Sequence, residues 1–190
     1  MNFKRQIHLC VAGMLVSAVG APLSARDRQQ TNPAVRTYTG VDIDAAVASS
    51  NDEAIALELT MPMLQQYYGA RTILLRAMAE SPELARQVLG AVGRAGPRGV
   101  MGLEEQYADI PAAVEATRAR QLTVHGYAVT EVAFMTAAGV LAGRIPMPGK
   151  PPGSIGRNVK FLQQHKPEIA TLQQEVSRLE AQAARLAAAK

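Results

Sequence analysis

After Thr60 the apolar positions recur at steps of three and four, the spacing that gathers side chains on one face of a helix. Met63, Leu64, Tyr67, Ala70, Leu74, Leu75 and Met78 follow it. With Thr60 as a good N-cap and Pro62 tolerated in the first turn, they predict a helix over about 61–79. Ser81-Pro82-Glu83 repeats the cap-then-proline start and predicts a second helix to about Val92, where Gly93, Gly96-Pro97 and Gly99 interrupt it. Asp109-Ile110-Pro111 opens a short helix through Arg118, and Thr123 caps the most apolar segment, Val124 to Ala142, which Gly143 closes.

That segment is apolar on nearly every face, which marks the central helix of a bundle; length and Glu131 both count against a membrane span. Arg144 to Gly153 holds four prolines and is a loop. Ser154 is expected to cap a helix through about His165, and Pro167 restarts a final helix ending near Ala189. Earlier, Val41 to Leu59 mixes a brief alternation (Val41, Ile43, Ala45, Val47) with a helix start at Asn51-Asp52-Glu53, and a short helix is expected there. The glycine-rich run Gly96-Pro97-Arg98-Gly99-Val100-Met101-Gly102 reads as a flexible connection: no strand precedes it and no Lys-Ser/Thr follows, so it is not a phosphate-cradling loop. Strand signals are almost absent. The fold class expected is all-α, a small bundle of five or six helices with a long C-terminal helix.

The N-terminus is organised differently. Lys4 and Arg5 precede an apolar stretch from Leu9 to Leu23, and Leu23-Ser24-Ala25 stands before the charged Arg26-Asp27-Arg28. This is the pattern of a secretory signal peptide over 1–25, followed by a polar leader over 26–40, the bundle over 41–165 and a coiled-coil-like C-terminal helix over 166–190. His8 breaks the pattern that precedes a lipid-modified cysteine at Cys10. Because Cys10 is the sole cysteine, cleavage would leave a chain without thiol chemistry. The expected location is periplasmic or secreted.

Composition narrows the core rather than the function. Aromatic residues make up 4% of the chain and Trp is absent, whereas apolar residues reach 48%, so small and aliphatic side chains must pack the helices. The formal charge of +4 is unevenly spread: residues 144–190 are strongly basic, with Lys150, Arg157, Lys160 and Lys166 ahead of the last helix. An acidic protein partner or an anionic membrane surface suits such a segment, and an exported chain has little reason to meet nucleic acid.

The Thr123-capped apolar helix, the Pro/Gly-rich connector and the stretch Asn158-Val159-Lys160-Phe161-Leu162-Gln163-Gln164-His165-Lys166-Pro167-Glu168-Ile169 together resemble a group of small exported helical proteins of Gram-negative bacteria. The resemblance spans about Thr60 to Ile169. It implies export and a helical fold, and it carries over no catalytic residue.

Among single residues Glu131 is the sharpest, a lone acid between His125 and Arg144 whose helical neighbours are Tyr127, Ala128, Phe134 and Met135. A carboxylate so placed calls for a partner, and Arg71, midway along the other long apolar helix, is the obvious one, with Tyr127 as a neutral donor. The trio is either a ligand site or a structural pair. His125 and His165 lack a companion Asp or Cys at ligand spacing, and Met61-Pro62-Met63, with Met135 or Met147, makes a poor case for copper because methionine fills cores. No metal or cofactor is expected. Neither a Gly-x-Ser-x-Gly elbow nor His-Glu-x-x-His nor Cys-x-x-Cys occurs, so no enzyme is expected either.

The last helix carries the clearest pattern. Ile169, Leu172, Val176, Leu179, Ala183 and Leu186 form a narrow seam, flanked by Gln173, Glu175, Glu180 and Gln182 without matched opposite charges. Ile169, Leu172, Val176, Leu179 and Leu186 are therefore candidate contacts to a protein partner or a second copy, unless the seam packs on the chain's own bundle. The function expected is a non-catalytic envelope interaction or structural module, with a binder of a small apolar ligand in the helical core as the alternative.

Overall fold

Thr60 begins the first long element by turning its hydroxyl back to accept the Met63 amide at 3.4 Å, with Pro62 seated in the first turn. The computed structural model describes residues 49–95, 98–145 and 153–188, and every regular element among them is a helix. The elements are α1 (residues 49–56), α2 (Met61–Glu80), α3 (Pro82–Ala95), α4 (Gly99–Ala108), α5 (Pro111–Arg118), α6 (Val124–Leu141), α7 (Gly153–Gln164) and α8 (Lys166–Ala188). The all-α expectation holds. Among the described residues eight helices stand in place of the five or six expected, and the signal segment, the leader, Met147 and Lys150 lie outside the described residues.

The unexpected element is α4, in the glycine-rich run. Gly99 stands at φ +55°, a conformation that favours glycine, and the Asn51 side chain of α1 occupies the space a Cβ would need there. Asn51 Oδ1 accepts the Val100 amide at 3.2 Å, so the first turn of α4 is capped from a residue far upstream. Glycine here starts a helix instead of loosening one.

α2 lies along α8 and against α5, while α4 bridges α3 and α6 and α7 packs on α6. Leu64, Tyr67, Leu74, Leu75 and Met78 of α2, Val100 and Tyr107 of α4, and Val129, Ala133, Phe134 and Ala137 of α6 meet in one core. α6 is long and apolar enough to cross a membrane, so length does not argue against a span; more than half of it is buried among neighbouring helices. Its N-cap Thr123 accepts the Gly126 amide at 2.9 Å. At its other end Gly143 adopts φ +69°, with Gly143 N–H on the Val140 carbonyl and Arg144 N–H on Gly139. This pair of bonds satisfies the last carbonyls and turns the chain.

The seam of α8 faces inward. Ile169, Val176, Leu179 and Ala183 are buried against α2 and α3, Leu172 packs at the edge of the core, and Leu186 is half-buried. Gln173, assigned by the heptad to a flanking position, is also buried and donates to the Tyr68 hydroxyl at 2.9 Å. On this turn Gln173 takes the fully buried position and Leu172 the partly buried one. The partner-binding role expected of Ile169, Val176 and Leu179 is thereby corrected: their partner is the chain's own bundle.

Candidate functional site

α2, α6 and α8 present one charged group each to the same point. Arg71 sits in the middle of α2, and its Nη1 lies 3.2 Å from Glu131 Oε1 on α6. Its Nη2 and Nε both reach Glu180 Oε1 on α8, at 2.6 and 2.9 Å. The Tyr67 and Tyr127 hydroxyls accept from Nη1 at 3.2 and 3.4 Å. Sequence reasoning paired Arg71 with Glu131 and Tyr127, and the structure brings these three together. It also adds Glu180, which the heptad reading placed at the flank of the seam, and Tyr67, which counted only as a core aromatic.

Helical geometry explains the convergence. Tyr67 and Arg71 are four residues apart on α2, as are Tyr127 and Glu131 on α6, so each pair is stacked on one face. The Tyr67 and Tyr127 rings are 5.0 Å apart, and Tyr107 of α4 meets Tyr127 edge-on at 5.6 Å. These rings wall the cluster off on the α4 side. Glu131 is 2% exposed, whereas Glu180 is 24% exposed, so the cluster runs from a sealed interior to a wet rim.

The electrostatics follow that gradient. Burial pushes the Glu131 carboxyl up from the usual carboxylate range, with Arg71 opposing and Glu180 reinforcing the rise. One guanidinium is shared by two acids, and Glu131 Oε2 is buried without a partner. Burial likewise raises the Tyr127 hydroxyl far above its ordinary value, with Glu131 adding to the rise. For Arg71 burial works against the charge, and the surrounding oxygens outweigh it. The cluster can therefore hold a proton on Glu131 beside a charged Arg71.

A second polar site went unread in the sequence. Asn158 of α7 is buried; its Oδ1 accepts the Leu59 amide and its Nδ2 donates to the Leu57 carbonyl, both at 2.8 Å. The signal was available: Asn158 occupies the apolar face that Ile155 and Leu162 define. Ser154 beside it donates to the Ile55 carbonyl, a tie to α1 in place of the expected capping role.

The histidines separate. The His165 ring packs at a tilt against Phe161, centroids 4.7 Å apart, whereas His125 lies between Glu104 and Glu53. Among the described residues no group of three His, Cys, Asp or Glu side chains could hold a metal ion, and Met61 and Met135 pack against the core. On the outside, Arg178, Arg185, Gln182, Ala79, Ala181 and Leu186 line an open groove of about 540 Å³ between the end of α2 and α8.

The chain is thus an all-helical bundle built around a shared-arginine, two-carboxylate cluster. Comparison with protein-family models, with curated proteins and with solved structures finds no match, so the class rests on the chain's own geometry.

Proposed function

We propose that this chain is a non-catalytic, exported interaction or structural module of the bacterial envelope. The observation that carries the reading is how its chemistry-bearing side chains are used: Arg71, Glu131 and Glu180 tie three helices together, and Asn158 grips the segment before α2. Groups engaged in holding the scaffold are not poised for turnover. Export is supported by the signal-like pattern over residues 1–25. With the α8 seam packed inward, the docking surface belongs on the outer side of α8, where Arg178 and Arg185 wall a groove with an apolar floor. An acidic protein partner fits that chemistry.

A binder of a small ligand in the core is the second reading, and the unpartnered Glu131 Oε2 favours it, since a ligand hydroxyl or amide would satisfy that atom. Native mass spectrometry of protein purified from an envelope fraction separates the two. The first reading expects a complex with a protein that dissociates as ionic strength rises. A monomer carrying a retained small molecule supports the second, and a bare monomer overturns both.

A further inference from the structure

His125 opens α6 with a carboxylate on either side of its ring. Nδ1 lies 2.8 Å from Glu104 Oε2 on α4, and Nε2 lies 3.0 Å from Glu53 Oε2 on α1. Because the two acids approach opposite edges of the imidazole, they do not converge on a point where a cation could sit. Each carboxylate, ionised, only accepts hydrogen bonds. The imidazolium donates from both nitrogens, whereas the neutral ring has a single N–H. Both contacts together therefore require the protonated ring.

We propose that His125 is a proton-operated latch that fastens α1 to α4 and α6 when the ring is doubly protonated and releases Glu53 when a proton leaves. Glu53 is the end that lets go, for three reasons. Its contact is the longer one, its side chain is 55% exposed against 42% for Glu104, and it stands on the eight described residues of α1, whereas α4 is packed between α3 and α6. Glu104 from α4 and Glu53 from α1 are the charged groups that contact the ring among the described residues, and the first turn of α6 adds no acid of its own. The Glu104 hydrogen bond is the main influence holding the ring's pKa above its ordinary 6.5, burial opposes it, and the Glu53 bond adds to the rise. A folded pKa above the unfolded one means that the latch is fully fastened below about pH 6.5 and loosens as pH climbs through the folded value.

The amide and hydroxyl ties on and beside α1 do not titrate, and the exposed Glu58–Arg157 pair, 2.7 Å apart, lies beyond the end of the helix. Asn51 holds Val100, Ser154 holds the Ile55 carbonyl, and Asn158 holds Leu57 and Leu59. Opening is thus confined to the turns around Glu53, and Leu59 serves as an internal reference.

Amide hydrogen exchange on the full chain between about pH 5.5 and about pH 9, corrected for intrinsic base catalysis, tests this. Protection of residues 50–57 should fall by about twofold to fivefold as His125 titrates, the size of an exposed ion pair, while the Leu59 amide keeps its protection. The ring proton shifts should give a midpoint above 6.5. E53Q should flatten the profile, because its carboxamide can donate to the nitrogen left bare at high pH, and H125Q should abolish it. A midpoint at or below 6.5, protection of α1 that does not vary with pH, or the same variation persisting in E53Q and H125Q would each overturn the latch.

Discussion

Arg71 Nη1 stands 3.2 Å from Glu131 Oε1 across the α2–α6 interface, while the other edge of the same guanidinium closes on Glu180 of α8. One cation is thus divided between a sealed acid and a half-wet one, and the two acids are not equivalent. Removing Glu131 leaves Arg71 its stronger partner; removing Arg71 leaves a carboxyl in the core with no counter-charge.

From this asymmetry Arg71→Leu should destabilise the fold by about 3–5 kcal/mol, the usual cost of stranding one member of a buried pair. Glu131→Leu should cost less. Chemical denaturation of both single variants and the double gives the coupling, expected at about 0.5–3 kcal/mol for residues in contact. Additive changes would mean that the pair contributes nothing jointly.

Glu131→Gln tests the proton. Since the folded carboxyl titrates above its unfolded value, the folded state binds more protons between the two, and stability falls as pH rises through that interval. The glutamine variant lacks this loss. Its stability relative to the parent should therefore improve as pH rises above about 4, measured by thermal unfolding at a series of pH values. A constant difference would show that folding leaves the titration of the Glu131 carboxyl unchanged.

Leu179→Ala should cost about 2–5 kcal/mol, as deletions of buried leucine do, because Leu179 is 3% exposed beneath α2 and α3. Leu172→Ala, at the edge of the core, should cost clearly less. Were α8 an exposed docking helix, both would leave the thermal midpoint nearly unchanged.

Asn158→Ala strands the Leu59 amide in the interior and should destabilise by about 1–3 kcal/mol. Exchange of that amide should accelerate more than that of amides in α5, which lies outside the clamp.

Gly99 and Gly143 both hold positive φ, yet they should respond differently to alanine. Among the described residues a Cβ at Gly143 meets nothing, so Gly143→Ala carries backbone strain alone, about 1–2 kcal/mol. Gly99→Ala adds a collision with Asn51 and should cost more, a difference visible in denaturation midpoints.

The two long apolar helices and their caps were legible because local chemistry sets them: Thr60 and Thr123 bond to amides three residues on. Arg71 and Glu131 could be matched because each is a charge inside an apolar run. Glu180 could not, since a position flanking the seam of α8 does not say which helix lies beside it. The same limit hid α4, whose capping residue is Asn51, and reversed the meaning of the α8 seam. Periodicity shows that a face is apolar and leaves unsaid which neighbour covers it.

The clamp of Asn158 on Leu57 and Leu59, together with α8 lying along α2, bears on the order of events as the chain is made. The partners that α8 gives α2 emerge about a hundred positions later, so these contacts have long sequence separation although the described elements are all helices. A nascent chain shorter than this has helices and no closure. The face of α2 that α8 covers stays open until the last helix arrives, an interval in which uncovered apolar surface invites association.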